Sequence, residues 1–409
     1  MLATFHAMNR DTGGVVPREM TLVYKEFYTG NHASGNTAGI SINGDGSKFA
    51  FTSKVLDTVW IRERSGNTWN LTHTFTNTNN EMYWSYIIDM NVDGNRLIIY
   101  SNGNAANNYT HTVHVYDYNG SGWNEINGIE MTGITNSNSV IGANQSIKLS
   151  RDGNTLYISF YYRNTVDASL PWYVYVYEYN GSSWTKITDI SFPNNSLSGF
   201  DIIDNLLICG LTTGSVHVYE LNNNTLTQKD TIIYPRGPTT ISTMPVYVNI
   251  NSNYRMVLSL SQWGNYSGAA NHFGKIFIYD YNGSTWDLVT EFPPDGYTDF
   301  DGEYARFGTV SSINQNGDII VSSAYDEKNE GSGLPYDEID GRSYLFSLNG
   351  GNINLVDRKW QISELAINQQ SIMKLNDSGD LLFHNLRDVR PTSGTWAGYN
   401  HGIAIYSTT

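Results

Sequence analysis

The chain is expected to fold as an all-β ring of seven four-stranded units, and three observations carry that expectation. Strand-forming aromatics are abundant among its 409 residues, with 29 Tyr, 15 Phe and 10 Trp set among Thr, Ser, Asn and Gly, while charged residues make up only 15%, too few to coat amphipathic helices. One hairpin sequence recurs, as VHVYDYNGSGWNEI from residue 113, VYVYEYNGSSWTKI from 174 and IFIYDYNGSTWDLV from 276. Between its copies, short polar turns rich in Gly and Asp separate apolar strands in a constant order.

Each unit opens on an alternating apolar strand, such as Ile40 and Ile42 or Ile147 and Leu149. It runs into a turn: NGDGSK from 43, NVDGNR from 91, SRDGNT from 150, NQNGDI from 314 and NDSGDL from 376. Gly and Asp supply the positive φ of tight hairpins. A second, more apolar strand follows (FAF from 49, LII from 97, LYI from 156, LLI from 206, MVL from 256, IIV from 319, LLF from 381), and the loss of polar alternation predicts burial on both faces. The third strand starts at Val59, Val113, Val174, Val216, Ile276, Tyr344 and Ile403, and the fourth near Trp69, Trp123, Trp184, Leu226, Trp286 and Ile353.

The seventh unit lacks a fourth strand after IAIYSTT, whereas TLVYKEF at 21–27 precedes the first unit and is expected to fill the gap. Four-stranded units closed into a ring are the blades of a β-propeller, here expected over about residues 35–76, 77–131, 132–190, 191–232, 233–291, 292–360 and 361–409, the last completed by 20–27. The whole chain is read as one domain.

The run ARFGTVSSINQNGDIIVSSAYDE at 305–327 resembles the FG-GAP repeats of integrin-α-like propellers, with Phe307-Gly308 at the FG place and Ser323-Ala324-Tyr325 where Gly-Ala-Pro would stand. The turn, strand and VxVYxYNGSxW order is similar to tandem repeats of this kind in marine bacteria, algae and large viruses. The resemblance implies the propeller fold. It also implies cation loops of DxDxDG type between first and second strands, but the corresponding turns here carry too few carboxylates for them.

A net charge of −15 with only 24 Lys and Arg argues against a phosphate-backbone partner. No segment has the apolar length to span a bilayer, and the start MLATFHAMNRDTGG lacks a signal-peptide pattern, so neither membrane insertion nor secretion is expected. The one cysteine, Cys209, stands in the apolar run LLICG and is expected to be buried and inert. His114 and His217 lie inside VHVY strands, where packing is the expected role, and HExxH, GxSxG, CxxC and phosphate-binding glycine loops are missing. A propeller glycosidase would need paired carboxylates facing the channel, and the inner-strand starts read Gly39, Ile87, Ile147, Phe200, Val246, Gly308 and Ile372. No enzyme and no cofactor are expected.

In such a ring the turns between strands one and two and between three and four share one face, and they are short. Length variation collects on the other face, which is therefore the expected binding surface. Its aromatic candidates for a partner or glycan are Trp84, Trp172, Trp263, Tyr266, Tyr297, Tyr336, Trp396 and Tyr399. Residues 291–340 hold twelve acids against Arg306 and Lys328, and Asp299, Asp301, Glu303 and Asp337 are the candidate ligands should the face take a Ca²⁺ ion. The expectation is a structural or recognition module made in the cytoplasm. It would sit at the surface of a virion or other particle as a capsid, decoration or fibre protein that contacts neighbouring subunits or a host receptor. A soluble glycan-binding lectin is the alternative, followed by a propeller glycosidase.

Overall fold

The computed structural model describes residues 19–29, 39–53, 57–77, 87–102, 110–135, 139–140, 147–162, 171–192, 197–234, 246–265, 272–293, 307–308, 310–324, 342–360, 365–367, 372–391 and 400–409. Among them are strands and no helix. After β1 (Thr21–Thr29), blade one comprises β2 (Ile40–Ile42), β3 (Lys48–Ser53), β4 (Thr58–Ser65) and β5 (Thr68–Thr76). Blade two comprises β6 (Ile88–Met90), β7 (Arg96–Asn102), β8 (Thr110–Tyr118) and β9 (Trp123–Thr135). Blade three has its inner position divided between β10 (Ser139–Val140) and β11 (Ile147–Leu149), followed by β12 (Thr155–Tyr162), β13 (Trp172–Tyr179) and β14 (Trp184–Phe192). Blade four comprises β15 (Leu197–Ile203), β16 (Leu206–Leu211), β17 (Ser215–Asn222) and β18 (Thr225–Ile233). Blade five comprises β19 (Tyr247–Ile250), β20 (Arg255–Asn265), β21 (His272–Tyr281) and β22 (Trp286–Phe292). Blade six comprises β23 (Ser311–Ile313), β24 (Ile319–Ala324), β25 (Arg342–Asn349) and β26 (Asn352–Trp360). Blade seven comprises β27 (Leu365–Ile367), β28 (Met373–Leu375), β29 (Leu381–Pro391) and β30 (Asn400–Ser407). All pairings are antiparallel, six blades keep their strands in chain order while the seventh takes β1 outside β30, and the seven blades form a ring.

The core lies between blades, which explains the apolar second strand. In β7, Leu97 and Ile99 pack with Val59 and Ile61 of blade one, while Ile98 packs with Ile147 and Ile158 of blade three. Successive side chains of a strand point to opposite faces, so a strand sandwiched between two sheets must be apolar at every position. Cys209 belongs to the same kind of contact between blades three and four and is fully buried, which pushes its thiol well above its ordinary range.

The recurring YNGSxW hairpin has a local and a non-local cause. Locally, Asn119 Oδ1 accepts the N–H groups of Ser121 (2.9 Å) and Gly122 (3.0 Å), and Asn180 and Asn282 repeat the arrangement. The flanking rings then meet at 5.4 Å for Tyr118 and Trp123 and at 5.2 Å for Tyr179 and Trp184. Non-locally, that aromatic pair receives a cation from the preceding blade. Lys48 Nζ lies 4.5 Å from the Tyr118 ring, and the Arg96 guanidinium lies 4.3 Å from the Tyr179 ring. Arg96 is itself held by a bidentate pair with Asp117 (2.6 and 2.7 Å).

The FG element of blade six is a packing device. Phe307 is fully buried against Phe292, Tyr344 and Phe346, with ring centroids 5.6, 5.3 and 5.9 Å away. A Cβ at Gly274 on β21 would collide with the Phe307 backbone, so that close approach requires glycine.

The ring closes through the N-terminal strand, as the missing strand of the seventh unit predicted. β1 pairs with β30 from Thr21 opposite Ser407 to Thr29 opposite Asn400. β1 also grips both neighbouring blades: Glu26 pairs with Arg62 of β4, Tyr24 packs 5.5 Å from Trp69, and the Met20 N–H donates to Asp357 Oδ2 of β26 at 2.7 Å.

Two outcomes are expected. Deleting residues 20–27 exposes the length of β30 and removes contacts to blades one and six. The melting temperature in a thermal scan should fall by more than ~5 °C, the equivalent of about 4 kcal/mol for a chain of this size; an unchanged melting curve excludes closure by β1. The second concerns acid. Burial holds His384 at about 3 and His111 at about 4, against an ordinary 6.5. Above pH 6.5 neither group favours unfolding, whereas below it the unfolded chain takes up protons that the folded chain resists. Urea unfolding should therefore show stability falling as pH drops from about 6.5 towards the folded values, by about 2 kcal/mol per histidine at pH 5. His384→Gln should flatten part of that slope.

Candidate functional site

The inner strands of the blades are short, and their sequence alternates about a single polar position. In β6 Ile88 and Met90 face the core between blades one and two; in β11 Ile147 and Leu149 do the same between blades two and three, and in β28 Met373 and Leu375 between blades six and seven. The residue between each pair must point to the opposite face of its sheet, toward the inner strand of the next blade. The residues two before the inner turn in six blades, and three before it in blade four, are Ser41, Asp89, Lys148, Asp201, Asn249, Ser312 and Lys374, one from every blade.

Four of these side chains accept a backbone N–H from the next blade. Ser41 Oγ accepts the Met90 N–H (3.0 Å), Asp89 Oδ2 that of Leu149 (2.9 Å), Asp201 Oδ2 that of Ile250 (3.0 Å) and Ser312 Oγ that of Leu375 (3.0 Å). The remaining oxygens are engaged as well. Ser41 Oγ donates to Asp89 Oδ1 at 2.9 Å, and Lys148 Nζ meets Asp201 Oδ1 at 2.9 Å. Lys148 is buried, but the attraction of Asp201 and Asp89 outweighs the desolvation and holds its pKa above the ordinary value. Lys374 has the opposite balance: repulsion from the Lys148 charge, followed by burial, outweighs the attraction of Asp89 and Asp201 and depresses it to about 8. Asn249 is 7% exposed, and its Nδ2 finds no acceptor among the described residues.

One turn below this ring the inner turns are laced to one another. The Asp377 N–H donates to the Gly44 carbonyl (2.7 Å), the Gly44 N–H to Val92 (2.8 Å) and the Val92 N–H to Arg151 (3.1 Å), which links blades seven, one, two and three in sequence. Asn314 Oδ1 accepts its own turn's Ile319 N–H at 2.9 Å while its Nδ2 donates to Ser378 of the next blade at 3.3 Å, and Asn376 does the same with Leu381 and Asp45. Gly317 shows the steric side of this: at φ +74 it lies so near Asn251 that a Cβ would stand 2.6 Å from its Nδ2. Arg151 completes the level by reaching Asp377 across the ring, Nη2 to Oδ2 at 2.7 Å, which joins blade three to blade seven.

The sequence reading looked for inward carboxylates at Gly39, Ile87, Ile147, Phe200, Val246, Gly308 and Ile372 and found none there. The structure corrects this, because the axis-facing position lies one or two residues later in most blades, and Asp89 and Asp201 occupy it. A charge flanked by two apolar residues, two or three residues before the polar turn, is the signal that would have found them. The strand histidines are packed as expected: His114 Nδ1 meets Glu125 Oε1 at 2.7 Å, and His217 Nδ1 lies 3.2 Å from the Tyr219 hydroxyl.

Of the loop-face candidates, Trp172 opens β13 and is partly buried against the cluster of Phe192, Leu197 and Phe200, so it belongs to a strand rather than a loop. Trp263 lies within β20, in a stretch where pairing with β21 is irregular between Leu260 and Gly264. Trp84, Tyr266, Tyr297, Tyr336, Trp396 and Tyr399 lie outside the described residues, as do Asp299, Asp301, Glu303 and Asp337. Among the described residues no group of three His, Cys, Asp or Glu is arranged to hold a metal ion.

No family model and no curated protein sequence matches the chain. Solved structures similar to it include the β-propeller domain of Cps50 (Swd1) from Myceliophteria thermophila, at a TM-score of 0.53 and 10% identity, covering 94% of this chain and 100% of that one. A functionally unknown protein from Desulfotomaculum acetoxidans is similar at a TM-score of 0.53 and 12% identity over 85% of this chain and 93% of its own. At such identities the likeness concerns the fold alone.

The roles of the two levels can be separated by mutation. Asp89→Ala leaves the Leu149 N–H and the Ser41 hydroxyl without their buried acceptor and should cost about 2–3 kcal/mol in chemical denaturation. Arg151→Ala removes a pair that is more than one-third exposed on both sides and should cost under ~1 kcal/mol. Equal losses would show that the inner ring carries no special weight.

Proposed function

We propose that this protein is a non-catalytic recognition propeller that presents its loop face to a macromolecular partner. The observation that carries the reading is the inequality of the two faces. Connections between first and second strands, and between third and fourth, run from the two residues 204–205 to the five of 43–47. Those between second and third strands run from the three residues 212–214 to the seventeen of 325–341. A scaffold that holds one face constant while lengthening the loops of the other has the form of a binding platform. The acidic stretch 291–340 falls largely within that face, which favours a partner with basic or hydrogen-bond-donating groups.

The state of the channel carboxylates supports the non-catalytic half of the proposal. A glycosidase pair must be free to give up and take protons at a substrate. Asp89 and Asp201 instead have their oxygens committed to Ser41, Lys148 and the backbone of neighbouring blades. A place on the surface of a virion or other particle, among its subunits or against a host receptor, belongs to this reading on composition alone, and the fold is neutral to it.

The experiment replaces residues 325–341 by a tight Asn-Gly turn and measures both the melting curve and co-sedimentation of the chain with particles from its source on a density gradient. The expected variant melts within a few degrees of the parent but no longer travels with particles. Binding of the parent to a glycan array, lost on Trp263→Ala or Trp396→Ala, would assign a lectin instead. Turnover of a polysaccharide that disappears in Asp201→Asn would overturn the non-catalytic reading.

A further inference from the structure

We propose that the seam between blades four and five, at the turn end of the ring, is a docking site for a basic side chain of a partner protein, an arginine or lysine received on the ring of Tyr281. A device repeated at two other seams leads there. Between blades one and two, Lys48 opens β3, pairs with its cross-strand neighbour Glu63 at 3.0 Å and lies 4.5 Å from the Tyr118 ring. Between blades two and three, Arg96 opens β7, pairs with its cross-strand neighbour Asp117 and lies 4.3 Å from the Tyr179 ring. Each seam thus combines a cation, the carboxylate that orients it, and the Tyr and Trp of the following blade that receive it.

The seam between blades four and five keeps two of these three parts. Tyr281 and Trp286 meet at 5.2 Å with their planes 37° apart, against 5.2 Å and 39° for Tyr179 and Trp184, so the receiving surface is the same. Glu220 stands opposite the first residue of β16, as Glu63 and Asp117 stand opposite Lys48 and Arg96. That first residue is Leu206, which packs against the apolar cluster holding Trp286 and brings no charge to the rings. Cross-strand partners share a face of their sheet, so Glu220 points into the same seam as Leu206. Exposure follows the loss of the cation: Tyr118 and Tyr179 are partly buried, whereas Tyr281 is 38% exposed.

Blade five adds a second ring. The stems of Lys48 and Arg96 pass Gly94 and Gly153 of the next blade's inner turn, where a Cβ would lie 3.3 Å from each Cδ. The shorter inner turn of blade five has Tyr254 instead, held at φ 55, in the left-handed region that a bulky side chain rarely adopts. Tyr254 packs against the same cluster as Leu206, so the route those stems take from within is filled, and a cation has to arrive from outside. The Tyr254 ring lies 6.3 Å from that of Tyr281 at 64°, and its hydroxyl donates to Asp204 Oδ2 of blade four at 2.8 Å. Asp204 and Glu220 stand against the single ammonium of Lys229, which Glu220 holds at 3.0 Å. Two tilted rings beside a net negative charge favour a guanidinium or ammonium group over a neutral or anionic one. The site lies at the opposite end of the blades from the loop face and does not depend on what that face binds.

The test mixes the full chain with the peptide acetyl-Gly-Arg-Gly-amide and, separately, with the same peptide carrying citrulline, which has nearly the shape of arginine without its charge. Saturation-transfer NMR reads which peptide protons touch the protein. The expected result is saturable transfer to the arginine side chain and none to citrulline. Tyr281→Phe should keep the signal, because the Tyr281 hydroxyl donates to the Gly283 carbonyl rather than facing the ligand, whereas Tyr281→Leu should abolish it and Glu220→Gln should weaken it. Leu206→Arg supplies the guanidinium from the chain itself and should lose the peptide signal too; if that variant fails to fold, the two Tyr281 variants still decide. Non-specific attraction to the acidic surface would survive in Tyr281→Leu. A signal unchanged in that variant, equal transfer to citrulline, or no transfer to either peptide would overturn the proposal. Transfer to cellobiose in place of the arginine peptide, lost in Tyr281→Leu, would overturn it in favour of a glycan.

Discussion

A ring of seven sheets has an axis that no side chain can fill with a hydrophobic core, and the inner strands must therefore satisfy polar groups across the gap from one blade to the next. The interaction that does this is a side-chain oxygen on one inner strand receiving the backbone N–H of its neighbour: Ser41 to Met90, Asp89 to Leu149, Asp201 to Ile250, Ser312 to Leu375. Each bond is local, yet it fixes the angle between two blades. Apolar packing between sheets is non-directional and tolerates sliding, whereas a hydrogen bond to a backbone donor does not. The inner turns add a second set of constraints at a different height, through the Asn side chains that cap their own turn and reach into the next.

Two kinds of electrostatics coexist in this architecture. Toward the outside, cations such as Lys48 and Arg96 lie on the Tyr and Trp rings of the following blade and are anchored by Glu63 or Asp117. These pairs are partly solvated, so their value is geometric, aligning the outer hairpins. Toward the axis, Lys148 and Asp201 are removed from water, and an imbalance there is costly. The axis is held close to neutrality, with two lysines and two aspartates among the seven inner-ring positions.

The fold was legible in the sequence because its grammar is strongly local. The Gly and Asp turns, the FAF, LII and LLF strands, and the YNGSxW hairpins each carry a conformational cause that survives without tertiary context, and even the closure by 21–27 followed from counting strands. The polar ring was not legible in the same way. An inner strand of three residues is too short to show a period, so Asp89 in IDM and Lys148 in IKL read as interruptions of an apolar run. Their direction depends on which neighbours the flanking Ile, Met and Leu choose, and that choice is made by the adjacent blade. The reach of Arg151 to Asp377 lies further still from sequence, because 226 residues separate them in the chain while the ring brings them together.

The seam between β1 and β30 has one more implication. Thr21 stands opposite Ser407, in the register that a two-residue or four-residue turn maintains in the other blades. A short turn from Ser407 to Thr21 would therefore build a seventh hairpin like the rest, and a permuted chain opened at another blade's turn would keep every strand pairing of the ring.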